Sequence, residues 1–347
     1  MEAETFFHFE KQGQLIEFPK GMPKPGPYYP CLVKMNKIKD FPFEYALYFS
    51  TDHHLGKGGI WLYLCNGIPS ESKNWKSYDQ AVIDGNFNYL KDKPTQNPIY
   101  IDRKQGLGHM ETPYVNIIDN KVYLTYHKNF LRSFGRNQPT LLSTSDDGIN
   151  FQRINGARDS IILRSKLRNS HTGYFRWAVN PFHRIKHKFI GYSLFHGGKY
   201  FQTAMWGSYD AIHWDILQIF NAIEGLGMQE DDKILNWHTV DPNSIRRIGE
   251  DQYVIICDAS TRAWGNKVRC TELYEIFVAG DGKTITRPSQ KILSVGNKNS
   301  FDCEEVATPT TIQKGNTIYL IYVGTSHKAQ LNTLMTAIGA FSKNDEK

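Results

Sequence analysis

The chain has 347 residues, of which 40% are hydrophobic, and 41 basic residues against 35 acidic ones give it a formal net charge of +6 at pH 7. This length and apolar content suffice for a sizeable core, while a small positive excess without long basic runs argues against nucleic-acid binding. No apolar run reaches the length of a membrane span. The first residues lack the features of a secretory signal, and the five cysteines show no metal-ligand spacing, so we expect a cytoplasmic protein with reduced thiols.

A proline-bearing segment recurs five times and is followed each time by an aromatic, β-branched stretch. The prolines are Pro30, Pro113, Pro181, Pro242 and Pro309. The stretches that follow them are EYALYFS, KVYLTYH, KFIGYSL, QYVIICD and TIYLIYV. Each repeat of roughly 60–80 residues has the alternation and the turn signals of a small antiparallel sheet. Radial repetition of such sheets predicts an all-β, single-domain five-bladed β-propeller, with an irregular pair of β-sandwiches as the alternative.

The chain begins with two short apolar segments, TFFHF and QLIEF, within residues 1–20. A ring of blades has to close, so we predict that an N-terminal strand from this region completes the last blade. Blade one is predicted over about 27–95 and contains the sequence STDHH. Adjacent strand residues point to opposite faces, so His53 and His54 cannot both reach one site. We therefore expect no metal there and treat His53 as a substrate-contacting residue, with a polar turn as the alternative.

Blades two and three are predicted over 108–165 and 172–232. Each contains a turn of the form Ser-x-Asp-small-x-x-aromatic, SDDGINF in the first and SYDAIHW in the second. The acidic side chain is expected to accept hydrogen bonds from the amides of the turn while the aromatic ring packs between blades. Arg176 and Trp177 stand ahead of Pro181, beside the predicted channel, where an arginine next to an aromatic ring suits sugar stacking and a carboxylate or phosphate contact. The alternative is a structural Arg–Asp pair and a packed tryptophan.

Blades four and five are predicted over 236–298 and 302–345. Carboxylates stand near the prolines of three blades, at Glu111, Asp241 and Glu305. Because the innermost strands of a propeller all run beside its axis, we predict that these three side chains converge at one end of the channel. Glycoside hydrolysis needs such a set, with one acid for the leaving oxygen, one base or nucleophile and a third group to tune a pKa. Glu305 is assigned rather than its neighbour Glu304, since neighbours on a strand alternate in direction.

The proline-bearing strands, the aromatic second strands and the SxDGxxW turns together resemble the five-bladed propeller glycosidases of glycoside hydrolase families 43 and 32 and their uncharacterised relatives. The resemblance extends over most of the chain. It implies a propeller fold and glycosidase chemistry, with the acidic residues of the family at Glu111, Asp241 and Glu305. It also places the stretch from Arg176 to Pro181 where family 43 has a Trp-Ala-Pro strand. The sequence differs from the family in having glutamate as the presumed base and in placing Glu305 four residues ahead of its proline.

The expected function is cleavage of a glycosidic bond by paired carboxylates. Two alternatives stay open: a sugar-transferring enzyme, such as a phosphorylase or transglycosylase, on the same scaffold, and a non-catalytic carbohydrate-binding propeller. We expect a carbohydrate partner, no cofactor and no metal site. The expected substrate-binding residues are His109, Arg176, Trp177, His53, His238 and Arg262. An anionic or phosphorylated carbohydrate is favoured by basic residues in the predicted rim loops, with a solvated basic surface as the alternative. These residues are Arg132, Arg136, Arg164, Lys166, Arg168 and Arg262.

Overall fold

A computed structural model describes most of the chain. The described residues are 5–51, 58–102, 109–128, 138–154, 160–164, 171–196, 201–220, 229–230, 233–234, 236–260, 271–326 and 331–341. Within them the protein consists of β-strands with a single α-helix, α1 (Tyr78–Ile83), and a 3-10 turn at Ser72–Asn74. The all-β class predicted from the sequence is confirmed. None of the described helical residues forms a segment long and apolar enough to cross a membrane.

The strands follow one another closely along the chain. Those of the first half are β1 (Phe7–Gln14), β2 (Pro27–Lys34), β3 (Tyr45–Thr51), β4 (Trp61–Cys65), β5 (Trp75–Ser77), β6 (Met110–Ile118), β7 (Lys121–Lys128), β8 (Thr140–Ser145), β9 (Gln152–Arg153) and β10 (Ile161–Leu163). Those of the second half are β11 (Arg176–Val179), β12 (Phe189–His196), β13 (Phe201–Ser208), β14 (Trp214–Phe220), β15 (Gln229–Glu230), β16 (Lys233–Ile234), β17 (Asn236–Gly249), β18 (Gln252–Ser260), β19 (Thr271–Ala279), β20 (Ile285–Leu293), β21 (Glu305–Lys314), β22 (Thr317–Ser326) and β23 (Leu331–Phe341).

Consecutive strands pair antiparallel. One sheet has the order β2-β3-β4-β5, a second has β6, β7 and β8 with β9 and β10 on β8, and a third has β11-β12-β13-β14. The fourth has the order β1-β23-β22-β21-β19-β18-β17, with β20 on β19. Its two halves are joined by one parallel bridge between Thr271 and Glu305, and β15 and β16 pair with each other.

The first strands of these groups contact one another in a closed order. Strand β2 contacts β6, β6 contacts β11, β11 contacts β17, β17 contacts β21, and β21 contacts β2 again. We call these five the inner strands. The hydrophobic clusters lie between neighbouring sheets, because each sheet is apolar on both faces. Tyr114, Trp177 and Trp206 belong to one such cluster, and Tyr253 and Ile276 belong to another.

Three inner strands share a β-bulge at their proline. Tyr29, Thr112 and Thr308 precede Pro30, Pro113 and Pro309, and they have positive φ angles of 56°, 53° and 51°. The pairing register shifts at each of these points. Bulges of this kind bend a strand and redirect its side chains, and they recur beside functional sites.

The third sheet has the same bulge without a proline. Tyr174 has a φ of 59° and is followed by Phe175, whereas Pro181 lies beyond the end of β11. Pro181 is therefore out of step with Pro30, Pro113 and Pro309 by six residues. Phe175 takes the position of the proline, which explains why a pattern built on proline alone selected a later residue.

The acidic turns form the hydrogen bonds predicted from the sequence. Asp147 Oδ1 accepts from the amides of Ile149 and Asn150, and Asp210 Oδ1 accepts from those of Ile212 and His213. Phe151 packs into the core beyond the first of these turns. Such turns are structural, since each carboxylate ties the chain that closes one hairpin.

Glu275 on β19 ties the chain ahead of β1 to the fourth sheet. Its carboxylate accepts hydrogen bonds from the amides of Phe6 and Phe7 at 2.9–3.1 Å. Burial raises the pKa of Glu275 from its ordinary value of 4.5 to about 7, and these amides only partly oppose the rise. The folded protein thus binds this proton more tightly than the unfolded chain does.

We expect the stability of the protein to depend on pH through Glu275. A raised pKa in the folded state gives a contribution that is complete below pH 4.5 and is lost as the pH rises through 7. At about 1.4 kcal/mol for each pKa unit, the loss is on the order of 3 kcal/mol. Glu275→Gln removes the titrating group, so its free energy of unfolding should fall less between pH 5 and pH 8 than that of the wild type. Urea unfolding at the two pH values measures both changes, and an equal fall in the free energy of unfolding for Glu275→Gln and the wild type would contradict this prediction.

Candidate functional site

Buried polar side chains gather at the end of the molecule where the inner strands begin and the second strands of the sheets end. They are His109, Glu111, His127, Asp258, Glu305, Thr308, Thr325 and Asn332. Contacts between sheets and within them hold this end together. The hydroxyl of Tyr29 in the first sheet donates to that of Tyr174, ahead of the third sheet, at 2.9 Å. Within the fourth sheet, Asp258 on β18 accepts a hydrogen bond from the amide of Thr308 on β21. Buried ionisable groups of this density are typical of functional sites.

Four buried side chains link the inner strands to one another. They are Arg176, Tyr114, Asp241 and Thr311, and we call them the central plug. The Arg176 guanidinium donates to the carbonyls of Pro309 and of Pro30, the latter at 3.2 Å, and lies 5.5 Å from the Tyr114 ring centre. Asp241 Oδ2 accepts from the amide of Thr311 at 2.8 Å and from its hydroxyl at 2.6 Å. Burial raises the pKa of Asp241, although these hydrogen bonds and the arginine charge oppose the rise.

Asp241 bonds to residues that lie further along the inner strands than the other two predicted acids. Its partners Tyr114 and Thr311 follow the bulge prolines, whereas Glu111 and Glu305 precede them. Asp241 is fully buried, and its carboxylate accepts hydrogen bonds within the plug. Asp241 on β17 therefore links the inner strands β6 and β21 through Tyr114 and Thr311, and its convergence with Glu111 and Glu305 stays a prediction.

His109, Glu111 and His127 form a compact group that we call the histidine cluster. Nε2 of His109 lies 3.1 Å from Nε2 of His127, and Oε2 of Glu111 lies 3.7 Å from the same His127 nitrogen. Thr112 Oγ1 lies 2.7 Å from Nδ1 of His127. All three members are buried, and Glu111 and His127 are directly opposite each other in the pairing of β6 with β7.

The third sheet shapes the space around His127. The Tyr174 ring stacks on the imidazole with an interplanar angle of 17°, and the next residue back is Gly173. A Cβ atom on Gly173 would lie 2.8 Å from the His127 ring and 2.6 Å from His171. Glycine at this position therefore leaves room for the imidazole.

We expect Gly173→Ala to displace His127 and to destabilise the protein by about 1–3 kcal/mol, the usual cost of overpacking. Gly249→Ala is the matched control, because a Cβ atom there meets nothing closer than 3.5 Å. Thermal unfolding of both variants checks the prediction. If the two variants unfold at the same temperature, the close approach of Gly173 to His127 has no energetic consequence.

Asp258 and Glu305 form a second group of acids. The oxygens of Asp258 accept from the amides of Thr239 and Thr308, each at 2.6 Å. Burial raises the pKa of Asp258 to about 6, and the charge of Glu305 also acts in that direction. Glu305 Oε2 lies 3.0 Å from the hydroxyl of Thr325. Glu305, the first residue of β21, is only 4% exposed, whereas Glu304, which precedes the strand, is partly exposed.

The other predicted substrate-binding residues whose side chains the structure describes belong neither to the histidine cluster nor to the second group of acids. Trp177 is fully buried among Phe189, Trp214 and Tyr123, so its ring is not available for stacking on a sugar. Arg176 is 3% exposed within the plug rather than on a rim. Trp177 is thus packed as in the structural alternative that the sequence left open, whereas Arg176 donates to backbone carbonyls and not to an aspartate as that alternative expected. His53 and Arg262 lie outside the described residues, as does the side chain of His238 in β17.

Sequence reasoning missed His127 and Asp258. Both stand at the carboxyl end of an apolar second strand, in KVYLTYHK and QYVIICDAS. The signal was present, since polar residues end the corresponding strands of the other repeats, as in YFST and YVGTS. A comparison of second strands would have shown that these ends meet the beginnings of the inner strands.

Solved structures share this architecture. An N-acetylgalactosamine deacetylase from F. plautii has a TM-score of 0.64 at 13% identity, with 97% of this chain and 96% of that chain covered. The chain therefore has the same fold as this carbohydrate-active protein. An exo-1,5-α-L-arabinanase from a bovine ruminal metagenomic library has a TM-score of 0.55 at 11% identity, covering 95% and 97%. A family 43 endo-arabinanase from Bacillus licheniformis has a TM-score of 0.52 at 8% identity, covering 98% and 99%. No family model matches the sequence, and no curated protein does.

Proposed function

We propose that this protein is a glycosidase-like hydrolase that acts on a carbohydrate. The five-bladed arrangement predicted from the sequence is part of this proposal. Its support is the closed order of contacts among β2, β6, β11, β17 and β21. In this arrangement β1 is the outermost strand of the fifth blade, where it pairs with β23.

The observation that carries the proposal is the group of buried acids and imidazoles at the end of the molecule where the inner strands begin. Glu305 is the proposed general acid. Asp258, whose pKa burial raises to about 6, is proposed as the third carboxyl group of the site in place of Asp241. Glu111, beside His127, is proposed to act on the attacking water. Together these groups supply the proton donor and the water activation that glycoside hydrolysis requires.

A second candidate reaction is the removal of an acyl group from a carbohydrate. The histidine cluster favours it, because imidazole and carboxylate groups in contact are suited to activating water for attack on a carbonyl. The N-acetylgalactosamine deacetylase from F. plautii, solved in complex with blood group B trisaccharide, has the same fold. Both candidate reactions use water and the same end of the inner strands.

An anionic or phosphorylated substrate has less support. The Arg176 guanidinium is committed to backbone carbonyls in the plug, so it does not serve as a rim contact. Arg164 is the one member of the predicted basic rim within the described residues. The anionic substrate, like the cytoplasmic location, therefore stays a prediction from the sequence. Weakening of binding at rising salt concentration would support it.

The test is an assay of the full chain against arabinans and N-acetylated oligosaccharides in water alone. Release of reducing sugar is the expected result, and release of acetate identifies the second candidate. Turnover that requires added phosphate or a sugar acceptor would identify a transferase. Binding without any turnover would identify a carbohydrate-binding protein and overturn the proposal.

A further inference from the structure

The histidine cluster has the composition of a metal site. Two imidazole nitrogens and one carboxylate oxygen, from His109, His127 and Glu111, lie within 4.8 Å of one another. All three side chains are buried. Two histidines and one glutamate form a known ligand set of catalytic zinc, which keeps a further position for water or substrate.

The separations between the ligand atoms suit a small divalent ion. Four-coordinate zinc has bonds of about 2.0–2.2 Å to nitrogen and oxygen, which places neighbouring ligand atoms about 3.4 Å apart in a tetrahedron. The His109–His127 separation of 3.1 Å and the Glu111–His127 separation of 3.7 Å lie on either side of this value. Shifts of a few tenths of an ångström would bring these two pairs to the expected separation, and the ligand atoms of His109 and Glu111 lie within 4.8 Å of each other.

Neighbouring residues hold His127 as metal sites usually hold their histidines. Nδ1 of His127, at 2.7 Å from Thr112 Oγ1, can donate its proton to that hydroxyl, which leaves Nε2 unprotonated and directed at the cluster. The stacked Tyr174 ring limits the orientation of the imidazole, and the absence of a Cβ atom on Gly173 leaves room for it. The ligand is thus oriented before any ion binds.

We propose that His109, Glu111 and His127 bind one divalent transition metal ion, with zinc as the best match to the ligand set. Metal binding is independent of the proposed function and is measured without it. If the proposed function holds as well, the ion would occupy the place where water is activated, and Glu111 would serve as a ligand. The competing explanation is a buried set of hydrogen bonds in which one imidazole donates to the other and no ion binds.

Binding of zinc alone to the full, chelator-treated chain tests the proposal by calorimetry. We expect one equivalent of tight binding and at least a 100-fold loss of affinity in His109→Ala and His127→Ala. Thr112→Val should lose about 10–100-fold, because the group that orients His127 is removed. His183→Gln is the matched control, since this histidine pairs with Asp251 away from the cluster. It should bind zinc like the wild type.

Two further measurements keep the test decisive if an alanine variant fails to fold. Glu111→Gln retains the shape of the side chain, and its melting temperature should rise less with added zinc than that of the wild type. Cobalt in place of zinc should give visible absorption bands in the wild type that are absent in Glu111→Gln. Absence of stoichiometric zinc binding would overturn the proposal. Zinc binding that stays unchanged in His109→Ala, His127→Ala, Glu111→Gln and Thr112→Val would also overturn it.

Discussion

Glu305→Gln is expected to reduce turnover of the carbohydrate substrate by about 10²–10⁴-fold, the usual contribution of a general acid. Glutamine keeps the size of the side chain but cannot deliver a proton. Its amide can also retain a hydrogen bond with Thr325, whose hydroxyl lies 3.0 Å from Glu305 Oε2. The variant should therefore fold, and its melting temperature should remain close to that of the wild type while its kcat falls.

Glu304→Gln is the matched control because it makes the same chemical change one residue earlier, on a side chain that is partly exposed. It should retain nearly full activity. A large loss in Glu304→Gln together with an active Glu305→Gln would show that the wrong neighbour was assigned. Loss of folding in Glu305→Gln would show that this glutamate is structural.

Arg176→Met is expected to lower the free energy of unfolding by about 3–5 kcal/mol, the range measured when one partner of a buried charged network is removed. Methionine can fill the apolar stem, but the carbonyls of Pro30 and Pro309 lose their donor. Asp241 and Asp258 also lose the positive charge that opposes the rise of their pKa values. Urea unfolding of the variant measures the change.

Arg247→Met is the control, since this exposed arginine also donates to backbone carbonyls and should change stability by no more than about 0.5 kcal/mol. In the double variant Arg176→Met/Asp241→Asn the buried negative charge is removed as well. Its loss should be smaller than the sum of the two single losses. Additive losses would mean that Arg176 and Asp241 do not support each other.

The sequence by itself determined the all-β class and the acidic turns that close two of the hairpins. Alternating apolar residues specify strands through their period of two, and the Asp147 and Asp210 turns depend only on residues close in sequence. Glu305 is buried and Glu304 is partly exposed, as the sequence predicted, although Glu304 precedes β21 and the alternation of a strand does not apply to it. The strands and the turns are local features, so one stretch of chain is enough to predict them.

The tertiary structure alone decided which side chains meet. Arg176 precedes Pro181 in the sequence, but the bulge at Tyr174 sets the register of β11 and directs the guanidinium into the plug. His127 joins the cluster because the pairing of β6 with β7 places it opposite Glu111. Asp258 reaches Thr308, 50 residues away, across two halves of the fourth sheet. Such contacts depend on register and on the packing of one sheet against another, which no single stretch of sequence contains.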